Sequence, residues 1–366
     1  MTAASKKQLR CDRIYGRIFG KGVSFMEKCF VAVSGGVDSA AALMIMKNRG
    51  YDVTGITMRV VPACDETESA KAFCDALGVP HITLSLEEEF GSTVIADFIS
   101  CYQNGLTPNP CVVCNKKIKF GILAKAAYDL GAHCFATGHY VRTEVRAGRR
   151  VIKKSLCTEK DQSYMLWSLS EPQLARFEAP LGGMTKDEAR SIVDGILPDI
   201  ASKKDSQDIC FIPDGDYRAF LDGRIGHPDR TGDFVLKDGR TLGTHSGLRN
   251  YTIGQRKGLG IAYSEPLYVI SKNACDNSIL LGSDSDLFTD RIYVSDCSFS
   301  GMDYPRESFR CTMTARYRGR EVGATVTPLV GGRAVIELDV PLRAVTAGQS
   351  AVFYDGDVLL GGGVIE

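Results

Sequence analysis

From Cys29 to about Leu130, short apolar runs alternate with segments of helical period. Val31-Ala32-Val33 reads as a strand that runs into Ser34-Gly35-Gly36-Val37-Asp38-Ser39, and residues 40–46 then read as a helix. The pattern predicts strands over 53–58 and 81–84, and a helix over 66–77 that Gly78 stops. It predicts helices over 90–102 and 117–130, then a short strand over Cys134–Ala136 that ends at Thr137-Gly138-His139-Tyr140. Such alternation implies a parallel sheet with helices on both faces. Ligands of such sheets bind at the carboxyl ends of the strands, where the Ser34 loop, Met58 and Gly138 all fall.

The texture then changes. Residues 141–145 and 151–156 read as a hairpin around Ala147-Gly148, and helical spacing returns over 163–169 and 186–193. Residues 230–285 are glycine-rich with short β runs, and 291–366 alternate in short strands separated by turns. The expected fold is an α/β domain with a parallel sheet followed by two small mainly-β domains, the last a β-barrel. The boundaries are read as an extension over 1–28, a catalytic domain over 29–213, a central β-rich domain over 214–287 and a barrel over 288–366. Residues 1–28 are polar and basic and lack the apolar stretch of a secretory signal. A transit peptide or a start at Met26 both fit that segment, which is set aside from the fold.

Bulk numbers narrow the classes. A chain of 366 residues makes two or three domains. Formal net charge is zero, so RNA binding would rest on local basic patches. No apolar run reaches the about eighteen residues of a membrane helix. Thirteen cysteines at irregular spacings do not form a secreted disulfide framework. Cys29, Cys74 and Cys134 stand in apolar contexts and read as buried, inert thiols of a reducing cytoplasm.

Two stretches carry chemistry. The 34–39 loop joins a strand to a helix, with glycines that permit a tight turn and orphan helix N–H groups that attract phosphate. It is neither a Walker loop nor the dinucleotide fingerprint. Asp38 suits magnesium or a helix cap. The second stretch is Thr107-Pro108-Asn109-Pro110-Cys111-Val112-Val113-Cys114, followed by Lys116, Lys117 and Lys119. Cys114 is expected near a helix start, where the dipole and the lysines favour thiolate. A structural zinc site needs four ligands and only one Cys-x-x-Cys pair exists, so a reactive pair is preferred over two buried thiols. Cys210, after Lys203-Lys204, would by itself read as a core cysteine. Arg316-Tyr317-Arg318-Gly319-Arg320 brackets an aromatic with cations, suited to stacking on a base or to an exposed barrel strand.

Ser-Gly-Gly-x-Asp-Ser resembles the pyrophosphate loop of enzymes that adenylate a substrate. Together with 107–120, 136–140, 160–164, 204–211, 251–260, 316–318 and 345–363, it closely resembles the tRNA-specific 2-thiouridylases. That resemblance implies a HUP-like pyrophosphate-loop domain, a small central domain and a C-terminal barrel. It implies conversion of the wobble uridine of Lys, Glu and Gln tRNAs to 2-thiouridine, with ATP and Mg2+ adenylating the C2 oxygen and an upstream protein donating persulfide sulfur. By resemblance Cys114 is the nucleophile, Cys210 carries the persulfide, and the two can form a disulfide. Ala32, Val33, Ser34, Gly35, Gly36, Val37, Asp38, Ser39, Met58 and Gly138 would bind ATP. Asn109, Pro110 and Cys111 would face the target base. His139, Lys160, Asp161, Gln162, Arg316, Tyr317 and Gln349 would contact tRNA.

The chain departs from the family pattern at Cys111, where many members have Asp. A thiol there opens an alternative in which Cys111, Cys114 and Cys210 hold a [4Fe–4S] cluster. The persulfide reading is preferred, with no bound metal. A small-molecule pyrophosphate-loop ligase and a silent RNA-binding protein are the competing classes.

Overall fold

The structure is a computed structural model and describes residues 26–62, 65–202, 209–225 and 230–366. Its first sheet has five parallel strands in the order β3-β2-β1-β4-β7. These are β1 (Lys28–Ala32), β2 (Asp52–Arg59), β3 (His81–Ser85), β4 (Cys134–Ala136) and β7 (Phe177–Glu178). Strands covered on both faces need no polar side. On β1, Cys29 and Val31 join one apolar cluster and Phe30 joins the other. Order runs outward from β1 to β3 and then restarts on the opposite side at β4, so the switch point lies between β1 and β4. The Ser34 and Gly138 loops leave the sheet there, as the alternation predicted.

Helix α1 (Val37–Asn48) carries Ala, Leu and Met, with Asp38 in its first turn and Lys47 in its last, both complementing the dipole. It is apolar on nearly every side because it lies between the sheet and the helix Lys186–Asp194, whose Ala189 and Val193 share its cluster. Helix α2 (Thr67–Ala76) ends before Gly78 in the left-handed region, as expected. Two longer helices each contain a π stretch. α3 (87–103) holds Gly91–Ile95, and α4 (110–129) holds Asn115–Leu123. The helical pattern expected over 163–169 is only a 3-10 turn, Ser163–Leu166, which packs Tyr164 and Leu166 inward.

The central sheet has β8 (Gly232–Val235), β9 (Thr241–His245), β10 (Tyr268–Asn273) and β11 (Ser278–Gly282) around Phe234, Val269, Ile279 and Leu281. The last six strands are β12 (Phe288–Phe299), β13 (Phe309–Thr314), β14 (Val322–Leu329), β15 (Arg333–Arg343), β16 (Ser350–Asp355) and β17 (Val358–Ile365). Pairing of β12 with both β15 and β17 closes them into a barrel. The expected hairpin is present as β5 (Val141–Arg146) and β6 (Arg149–Lys154), turning at Ala147 and Gly148 with positive φ. It is not confined to the first unit: β6 pairs with β17, Lys153 against Val358, and extends the barrel sheet. Among the described residues no helix is long and apolar enough to cross a membrane.

Candidate active site

The loop after β1 is locked from several sides. Ser39 Oγ donates to the Gly36 carbonyl (2.9 Å) and accepts from the Ser34 N–H (3.1 Å). Gly35 has φ +69°, and a Cβ there would lie 2.9 Å from Glu66 Oε2 and Ser69 Cβ, so only glycine fits. Gly36, in extended conformation, is the helix cap, which displaces Asp38 from that expected role. Asp38 Oδ1 instead accepts from the Tyr140 hydroxyl (2.8 Å) and pairs with Lys186 Nζ (2.6 Å). Sequence reasoning did not single out Lys186. The Thr185-x-x-Glu188 capping box that starts its helix was readable, but nothing local points its side chain to Asp38. A Cβ on Gly138 would lie 2.8 Å from the Asp38 carbonyl carbon and 2.9 Å from Ser39 N, so the β4 loop lies against the phosphate loop. Val33 donates to the Ile56 carbonyl, and Met58 stands near the carboxyl end of β2 in register with Leu84.

The cysteine stretch is built by α4. Asn109 caps it, Pro110 opens it without a missing donor, Cys111 follows, and Cys114 ends the α-helical part before the π stretch. Cys114 is the fifth residue of the helix, near its start as expected, but is buried at 7 % exposure. Burial pushes its thiol up to about 12, and the neighbouring Cys210 and Cys111 act in the same direction. Lys119 pulls it down but does not prevail, so the expected thiolate is a thiol here. Cys111 is exposed at its outer side and crowded elsewhere; desolvation raises its thiol and Lys119 opposes.

Cys210 is exposed between Ile209 and Phe211, which pack in the same apolar cluster as Cys114. Phe211 is held edge-on by Phe90 (5.6 Å) and Phe98 (5.3 Å). Cys210 is thus flanked by residues of the cluster that buries Cys114, and its charge is felt at the Cys114 thiol. Lys203 and Lys204, expected to act on Cys210, lie outside the described residues, as do Ala63 and Cys64 beyond Met58. Cys29, Cys74 and Cys134 are buried thiols, as read from their apolar contexts. Among the described residues no three His, Cys, Asp or Glu side chains gather to hold a metal ion, so the three cysteines do not form a ready cluster site.

The remaining candidates ring this centre. His139 is buried, bonds through Nδ1 to Thr137 Oγ1 (2.6 Å) and lies over Phe120; burial depresses its pKa to about 3. Gln162 Oε1 accepts from the Tyr140 N–H, and Asp161 accepts from Ser155 N and Ser163 Oγ. Lys160 ends the preceding 3-10 turn, half-buried. Arg316 to Arg320 form the β13–β14 turn, not a strand, because Arg318 takes a positive φ. In that turn Arg318 stacks on Tyr317 and donates to the Glu159 carbonyl (3.2 Å), while Tyr317 meets the Tyr164 ring at 5.9 Å. Gln349 Nε2 donates to the carbonyls of Thr107 (3.0 Å) and Pro108 (3.1 Å). A cavity of about 440 Å³ opens beside this clasp, lined by Thr107, Thr252, Arg316, Arg320, Arg343 and Gln349.

A five-stranded parallel sheet with a glycine phosphate loop at its switch point defines a nucleotide-binding α/β domain. Residues 27–214 match the family described as tRNA methyl transferase HUP domain, 218–283 its PRC-barrel domain and 289–365 the aminomethyltransferase beta-barrel domain. The chain is 42% identical over 352 residues to tRNA-specific 2-thiouridylase MnmA 1 of Caldanaerobacter subterraneus subsp. tengcongensis, covering 92% of this chain and 97% of that one. It is 42% identical to MnmA 2 of Clostridium botulinum strain Hall and 38% to MnmA 2 of Thermoanaerobacter sp. strain X514, with the same coverage. The chain belongs to the tRNA-specific 2-thiouridylase family.

Proposed function

We propose that this protein is an ATP-dependent tRNA-uridine 2-sulfurtransferase that makes 2-thiouridine at the wobble position. The observation that carries the reading is that Ile209 and Phe211, on either side of Cys210, pack in the apolar cluster that buries Cys114, and that Cys210 acts electrostatically on the Cys114 thiol, in a domain that also carries a phosphate loop at its switch point. Residues 32–39 would cradle the ATP phosphates on the α1 N-terminus, with Met58 and Gly138 lining the nucleotide. Magnesium, arriving with ATP, would meet Asp38 on Oδ2, since Oδ1 is engaged by Tyr140 and Lys186.

The chemistry balances. The C2 oxygen of uridine attacks the α-phosphorus of ATP and pyrophosphate leaves, which turns a poor leaving group into AMP. A donor protein loads sulfur onto Cys210 as a persulfide. Cys114 attacks the Cys210 sulfur, hydrosulfide leaves, and a Cys114–Cys210 disulfide remains. Hydrosulfide adds at C2 and AMP departs. Burial keeps Cys114 protonated in the resting enzyme, which guards the persulfide until the base is in place. Asn109, Pro110 and Cys111 would face that base. Lys160, Asp161, Gln162, Arg316 and Tyr317 would hold the anticodon arm, with His139 and Gln349 shaping the site from beneath. Acceptors for Lys, Glu and Gln, a cytoplasmic setting, and domains bounded at 29–213, 214–287 and 288–366 complete the reading.

The test is incubation with ATP, a persulfide donor and unmodified tRNA, followed by nucleoside analysis. Cys114→Ser and Cys210→Ser are expected to lose product while still binding ATP. Absence of 2-thiouridine from the unaltered enzyme, both aerobically and anaerobically, refutes the proposal.

A further inference from the structure

The three thiols differ in access. Cys114 is buried, whereas Cys111 and Cys210 are exposed. Cys111 and Cys114 occupy one helical turn, three residues apart, where Cβ atoms are about 5–6 Å from each other. A disulfide needs Cβ atoms roughly 1–2 Å closer, which a helix terminus can provide. Cys111 is also the second residue of the helix, among its unpaired N–H groups; Lys119 favours the charged form of both thiols, against the larger effect of desolvation. An exposed cysteine on the first turn followed by a buried one three residues on is the layout of a dithiol exchange pair.

This arrangement addresses a problem left by the proposed reaction, on which the inference rests. Each turnover ends with a Cys114–Cys210 disulfide whose Cys114 sulfur is buried and whose Cys210 sulfur is exposed, and a thiol three residues from Cys114 on the same helix can reach the buried sulfur from within the protein. We propose that Cys111 is the resolving thiol of the cycle. Its thiolate attacks the Cys114 sulfur, the Cys114–Cys210 bond breaks, and a Cys111–Cys114 disulfide forms. Cys210 leaves as thiolate with the electron pair and takes up the proton that Cys111 lost. No net oxidation occurs in this exchange. Cys210 is then free for a new persulfide. An external dithiol supplies the two electrons that reopen the Cys111–Cys114 bond, by attack on the exposed Cys111 sulfur.

The experiment uses the full-length enzyme with tRNA, ATP, a persulfide donor and dithiothreitol, quenched in acid to stop thiol exchange, freed of dithiothreitol, alkylated in denaturant at neutral pH and mapped without reduction. The unaltered enzyme is expected to carry a Cys111–Cys114 disulfide. Cys111→Ser is expected to lower steady-state turnover at least tenfold more than it lowers the first turnover, with the Cys114–Cys210 disulfide accumulating. Unchanged steady turnover in Cys111→Ser, or loss of the first turnover too, overturns the resolving role. A Cys114→Ser enzyme that still thiolates tRNA would instead sink the underlying reaction scheme. The two failures are therefore distinguishable.

Discussion

Gln349 donates its side-chain N–H groups to the carbonyls of Thr107 (3.0 Å) and Pro108 (3.1 Å), so the barrel holds the loop that leads to Cys111 and Cys114. The clasp is reinforced by Thr107 N–H donating to the Ala347 carbonyl (2.9 Å), and by Gly348, whose absent Cβ would lie 2.9 Å from Thr107 backbone atoms. A barrel placed last in the sequence thereby packs against the loop that opens α4.

Gln349→Ala leaves two carbonyls without donors and should destabilise the protein by about 1–3 kcal/mol. Thiolation kcat should fall while ATP affinity holds. Thermal unfolding and single-turnover rates check this; an unchanged unfolding temperature with an unchanged single-turnover rate would contradict the clasp.

Gly138→Ala would place a methyl within 2.8–2.9 Å of the Asp38 backbone and Ser39 N. Backbone on both sides leaves little room to give, so the phosphate loop must shift. ATP affinity, measured by calorimetry, is expected to drop at least tenfold, about 1.4 kcal/mol. Far-UV dichroism should stay unchanged.

His139, depressed to about 3 by burial, makes a signed prediction. The unfolded chain takes a proton on this ring near its ordinary value of about 6.5 and the folded protein does not. Between those values the unfolded state binds more protons, so stability falls as pH drops from about 6.5 toward 3. His139→Gln should flatten that part of the curve in urea titrations at pH 7, 5 and 4. An unchanged acid limb counts against the buried neutral ring.

Alkylation should report the burial of Cys114. In a Cys111→Ser/Cys210→Ser background, iodoacetamide labelling of Cys114 at pH 7 should be far slower than for a free cysteine. It should rise about tenfold per pH unit toward its elevated value. Fast, pH-flat labelling would mean an activated thiolate instead.

Tyr317→Ala removes the ring on which Arg318 stacks and which meets Tyr164. If a base or ribose stacks there, tRNA affinity should fall by about 1–3 kcal/mol, with ATP binding untouched. Filter binding at two salt concentrations separates stacking, which is little changed by salt, from phosphate contacts, which are not.

Local pattern revealed what depends on local chemistry. The glycine loop, the strand Cys134–Ala136 and the turn at Ala147-Gly148 lie where periodicity and turn residues placed them. What it did not reveal was set by partners distant in sequence. The two-residue strand Phe177–Glu178 exists because β4 offers it an edge. Cys114 is a thiol because Phe90, Phe98 and Phe211 bury its surroundings, and a count of nearby lysines says nothing about that. Lys186 meets Asp38 only through the packing of two helices. Arg316–Arg320, for which an exposed barrel strand is one of two readings, is a turn in which Arg318 takes a positive φ.

The hairpin β5–β6 has a mechanical consequence. Gly138 lies against the phosphate loop, and three residues later the same stretch of chain enters β5, whose partner β6 is stitched onto the barrel. Arg142 fastens that arm to Asp357 at 2.6 Å. The phosphate loop and the barrel are thus joined through one short, doubly fastened arm, with Gly138 at one end and Val358 at the other.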